Sequence, residues 1–138
     1  MIAQWLIAAS AGIVLLLGVL HLCFTYAGNK LHPRDAALMD QMKQVRLVIA
    51  RTSTWDAWIG FNASHSLGLI LYAAVFGYLA LREPAMLFGS AFLGVVGLGT
   101  LVAWLLLAKA YWFSRPLQGV AVALVLYAAG WTAALRGY

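Results

Sequence analysis

Charge is scarce in this sequence and missing altogether from four long stretches of it. Asp, Glu, Lys and Arg together make up 9% of the 138 residues, and none of them falls within 2–27, 57–81, 84–108 or 116–135. Hydrophobic residues make up 64%, against about half in a soluble globular domain, and that balance excludes a soluble fold. A hydrocarbon core of ~30 Å needs about 20 apolar residues of helix, and each stretch supplies them. A lone apolar segment in lipid must satisfy its own backbone hydrogen bonds, which leaves the α-helix as the form for spans this long.

Acids are scarcer still. The chain has four Asp and Glu residues, all outside the uncharged stretches. No intramembrane carboxylate is present for a proton relay, and none completes a Ser-His-Asp triad. A single cysteine, Cys23, excludes an internal disulfide and any multi-cysteine zinc site. No Gly-x-x-x-x-Gly-Lys loop is present for phosphate. The first apolar run has no Lys or Arg before it and exceeds an ordinary signal-peptide h-region, so it is expected to be a retained helix.

Cations, by contrast, are in surplus, with a net charge of +5. In a soluble chain that surplus suggests nucleic acid. Here the cations stand at the ends of apolar spans, where orientation and anionic lipid explain them and no nucleic acid is expected. The side bearing the first and third links holds Lys30, Arg34, Lys43, Arg46, Arg51, Lys109 and Arg115, while the other holds Arg82 and Arg136. By the positive-inside rule the 28–56 link is cytoplasmic and both termini lie outside. Tyr26, Trp55, Trp58, Tyr111 and Trp112 gather at the same proposed interface, the depth that amphipathic rings prefer.

The 28–56 link has its own pattern. Leu38, Met42, Val45 and Ile49 fall on one helical face, which predicts an amphipathic helix over about 33–52, lying on the membrane surface or closing over the bundle as a lid. Ser53 followed by Asp56 resembles a capping box and marks the start of the next span. Pro116 suits the first turn of the last. Gly60, Ser64 and Gly68 make two small-xxx-small steps, the spacing that lets membrane helices approach closely. Ser90, Gly94 and Gly97 offer similar contact on the third span. The expected fold is therefore all-α: one transmembrane domain, a four-helix bundle with an amphipathic interfacial helix between helices 1 and 2.

One polar constellation stands inside the spans. His21 and His65 fall roughly 8 and 12 Å below the cytoplasmic boundary, on helices that both meet that face. Trp58, Asn62, His65 and Ser66 share a face of the second span by their three- and four-residue spacing. Lys109 ends the third span on the same side. Ionisable groups within a bilayer are functional candidates by default. Three readings remain open for His21, Trp58, Asn62, His65, Ser66 and Lys109. They form interhelical hydrogen bonds, or they line a pocket for a lipid or other small apolar molecule, or His21 and His65 ligate haem b or hold a quinone. Ser64 and Ser66 flank His65 on one helix, so neither is directed at its ring. His32, in the link, reads as a surface residue.

Trp58, the run Phe61-Asn62-Ala63-Ser64-His65-Ser66-Leu67-Gly68, and Ala110-Tyr111-Trp112-Phe113 together resemble a family of small bacterial four-helix integral membrane proteins. The likeness covers nearly the whole chain, including Asn29-Lys30. It implies a four-helix fold in the bacterial inner membrane and carries no activity. The residues themselves name no reaction, so the working expectation is a non-catalytic inner-membrane protein with an apolar-ligand pocket. Membrane lipids are its expected partners, with a homo-oligomer or a membrane partner beside them. A redox protein and a subunit of an oligomeric transporter or channel are the rival classes.

Overall fold

In the computed structural model, which describes residues 2–49 and 51–137, helix accounts for 83% of the described chain, and no strand occurs among the described residues. The helices are α1 (Ile2–Tyr26), α2 (Ala36–Gln44), α3 (Thr54–Arg82), α4 (Pro84–Gly89), α5 (Ala91–Tyr111) and α6 (Ser114–Leu135). Four of them, α1, α3, α5 and α6, are long and apolar enough to cross a membrane. They are the spans of a multi-pass membrane protein.

The helix ends follow from local chemistry. Ser53 precedes α3, its Oγ accepting from the Asp56 amide at 3.1 Å and donating to Asp56 Oδ2 at 2.7 Å. This is a capping box in which the acid holds the serine hydroxyl rather than the backbone. α3 therefore begins at Thr54, ahead of the uncharged stretch that starts at residue 57. Asp35 caps α2 by a single bond, its Oδ1 accepting from the Ala37 amide at 2.9 Å. Pro116 sits in the first turn of α6, where its missing N–H costs no helical bond. Gly28, at φ +84°, follows α1 in the left-handed conformation that ends helices.

Two expected elements take a different form. The stretch 84–108 is interrupted at Ser90, whose extended backbone ends α4 and whose Oγ accepts from the Leu93 amide to start α5. A serine hydroxyl competes for backbone groups and favours a cap over a helix interior. The segment 33–52 is helical only from Ala36 to Gln44. Val45 is extended, and the chain then folds back on itself. The Leu47 amide donates to Thr52 O at 3.0 Å, and the Thr54 amide donates to Val45 O at 2.9 Å. Ala50 lies outside the described residues.

By its contacts the chain forms two compact units, Gly18–Gly68 and the pair of segments Met1–Leu17 and Leu69–Tyr138. The second of these has one apolar core. Ile7 and Val14 of α1, Leu69, Tyr72 and Phe76 of α3, Leu87 of α4, Leu101 of α5, and Ala123 and Tyr127 of α6 all meet in it. Its aromatic rings run in series: Trp104 to Tyr72 at 5.2 Å, Tyr72 to Phe76 at 4.5 Å, and Phe76 to Tyr127 at 5.7 Å. Both buried tyrosines donate to carbonyls of α5, Tyr72 to Gly97 at 3.1 Å and Tyr127 to Leu93 at 3.4 Å. The glycines that permit this approach are Gly94, against Trp131, and Gly97, against Tyr127 and Phe76. Ser10 of α1 donates to Ala123 O of α6 at 2.7 Å. The Gly60, Ser64 and Gly68 stripe is uncovered, and a Cβ added at either glycine meets nothing within 4 Å.

A polar cluster and an adjoining cleft: the candidate functional site

The unit Gly18–Gly68 contains the end of α1, the link with α2, and the start of α3. Here Asn62 accepts at Oδ1 from His21 Nε2 at 3.0 Å and donates from Nδ2 to its own helix at Trp58 O, 2.8 Å away. The second bond fixes the amide's orientation. Its oxygen faces His21, so Nε2 of His21 must carry the proton. The rings of His21 and His65 meet edge to face with centroids 5.4 Å apart at 87°. Thr25 and Ser66 are buried and donate back to the carbonyls of His21 and Asn62, each at 2.8 Å. Among the described residues, no buried side-chain polar atom lacks a partner.

Of the residues singled out in the sequence, His21, Asn62 and His65 are thus brought together, with Ser66 and Trp58 bonded to or through Asn62. Lys109 belongs to the other unit, where it stands exposed in the last turn of α5.

Trp58 extends the cluster outward. Its Nε1 donates to Leu31 O in the link at 3.1 Å. One continuous path therefore runs from His21 through Asn62 and the backbone and indole of Trp58 to Leu31. At its end lies an open-sided cleft of about 280 Å³, lined by Leu31, His32, Pro33, Met42 and Trp58. His32 is half-buried there, its ring 5.0 Å from that of Trp55. Nearby, Lys30 Nζ sits 4.0 Å over the ring of Phe24. His32, expected at the surface, is half-buried in the cleft because the link folds against Trp58, and spacing gives no sign of Pro33 or Met42 as site residues. Their only signal was that Met42 lay on the apolar face of the link.

No family model, curated protein or solved structure matches this chain. The site is therefore read from its own chemistry. No three His, Cys, Asp or Glu side chains come together to hold a metal among the described residues. Axial haem ligation needs an imidazole nitrogen on each side of the iron. Here Nε2 of His21 is already engaged as a donor to Asn62, and the two rings touch edge to face with no porphyrin plane's width between them. Ser64 donates to Phe61 O at 2.9 Å and Ser66 to Asn62 O. Each hydroxyl has spent its single proton on its own helix, so neither forms a nucleophile–base pair with His65. What the arrangement does is join two helices and the link by hydrogen bonds and hold one indole in place beside an apolar cleft.

Proposed function

We propose that this chain is a multi-pass protein of the bacterial inner membrane that holds a lipid chain or similar small apolar molecule in the cleft beside Trp58. The four spans associate as a bundle, the 28–56 link faces the cytoplasm, both termini lie outside, and α2 rests at the interface. Membership of the bacterial family suggested by Phe61–Gly68 is part of the same proposal. The observation that carries the reading is the path from His21 to Leu31 ending at that cleft. Ligand sites are concave, mostly apolar and furnished with a few placed polar groups, and Leu31, Pro33, Met42 and Trp58 with His32 fit that description. The Nε1 bond to Leu31 O holds the indole at the cleft, and Asn62 ties the Trp58 carbonyl to the cluster.

A structural reading of the same residues is favoured by the His21–Asn62 bond alone. In it the cluster only fastens helices. Native mass spectrometry of the protein released from mild detergent separates the two. The ligand reading expects a retained apolar adduct that is lost in Met42→Trp, which fills the cleft, while the variant keeps its thermal stability. An adduct that persists in Met42→Trp, or a wild-type protein without one, refutes the cleft. The visible spectrum of the same sample, oxidised and then reduced, is expected to show no Soret band.

A further inference from the structure

The fold-back between α2 and α3 presents an apolar tip on cationic shoulders. Val48 and Ile49 are wholly uncovered, at 105% and 93% of their reference areas. The Leu47 and Thr54 amide bonds close the loop behind them, Thr54 Oγ1 adds a bond to Val45 O at 3.1 Å, and Arg46 pairs with Ser53 across it. Arg46 and Arg51 stand exposed on either side. From residue 41 to 55 the charges are Lys43, Arg46 and Arg51, with no Asp or Glu among them.

We infer that this tip is a lipid-inserting anchor, with Val48 and Ile49 entering the acyl boundary of an anionic leaflet and Arg46 and Arg51 meeting its headgroups. Three observations select lipid over protein as the occupant. The base of the loop is built on Thr54, the first residue of a membrane-spanning helix, and five residues of chain reach at most ~18 Å, so the tip stays near the bilayer surface. Two side chains make too small a patch for a protein interface, which takes about 800 Å² from each partner. Apolar side chains flanked only by cations are the composition of segments that lie in an anionic interface. The anchor also differs from the expected amphipathic helix, because the inserting residues are those that left the helix. β-Branched Val45, Val48 and Ile49 lose side-chain freedom in a helix, and here Val45 is extended while Val48 and Ile49 sit in the turn.

The test is depth-dependent quenching in the full-length protein. Cys23→Ser gives a background for a single label, and Ile49→Cys or Val48→Cys places an environment-sensitive fluorophore on the tip. Both side chains are uncovered, so neither substitution disturbs packing. In vesicles of phosphatidylcholine with phosphatidylglycerol, both labels are expected to be quenched by brominated acyl chains and shielded from iodide. Arg46→Gln and Arg51→Gln should each lower the inserted-to-free ratio about fivefold in these vesicles, and little in phosphatidylcholine alone. Labels quenched by iodide and not by brominated lipid overturn the anchor. Labels shielded from both quenchers put protein against the tip and overturn it equally. Insertion indifferent to phosphatidylglycerol removes the headgroup role of the arginines.

Discussion

A glycine in a membrane helix matters where another side chain occupies the space its missing Cβ leaves. Gly97 faces the hydroxyl end of Tyr127, which is itself bonded to Leu93 O, and the ring of Phe76. Gly97→Ala is therefore expected to destabilise the protein by about 1–3 kcal/mol, the usual range for overpacking. Gly60→Ala and Gly68→Ala meet nothing and should stay within about 0.5 kcal/mol of wild type. Unfolding in mixed detergent micelles measures both. The four-residue spacing of Gly60, Ser64 and Gly68 read as well as that of Ser90 and Gly94, because spacing shows a groove and not the ring that fills it. The His21, Asn62 and His65 cluster was legible for a better reason, since three polar residues in apolar helices have few ways to be satisfied except by each other. Its strength is modest. Asn62→Leu removes the acceptor for His21 and is expected to cost about 0.6 kcal/mol, the average for hydrogen bonds inside membranes. The cleft should be little changed in that variant, because the indole keeps its bond to Leu31 O.

Caps set where the helices of this chain begin. Ser53→Ala removes the acceptor of the Asp56 amide and is expected to cost about 1 kcal/mol, as N-cap losses do. Hydrogen exchange should speed up in the first turn of α3 and stay unchanged around Tyr72. The Ser53 and Asp56 pair was readable in advance because its spacing is specific. Ser90 was not, because a serine between apolar residues serves equally as a small contact residue or as a cap, and only its backbone conformation decides. The length of α2 was hidden for a related reason. Leu38, Met42, Val45 and Ile49 keep a helical period, yet the last two leave the helix, and periodicity has no term for the closing bonds between Leu47 and Thr52 or Val45 and Thr54. The cleft was invisible for the same cause, since it needs Leu31, Pro33 and Met42 folded against Trp58.

Across the whole molecule, the spans were evident from missing charge, and the proposed orientation rests on the remaining charges. If Lys30, Arg34, Lys43, Arg46 and Arg51 hold the link in the cytoplasm, a cysteine at position 29 must be hidden from the outside. In a Cys23→Ser background, Asn29→Cys should resist a membrane-impermeant maleimide on intact cells and react once the cells are opened, while Gly137→Cys should react at once. Neutralising Lys30, Arg34 and Lys43 together removes cations close to the span ends, where they count most, and is expected to give a mixed population in which Asn29→Cys becomes partly reactive from outside. The cleft and the Val48–Ile49 tip share the link with these cations, so both must face the same compartment. Reaction of Asn29→Cys in unmodified intact cells would reverse the topology and bring the cleft and tip to the outer leaflet together.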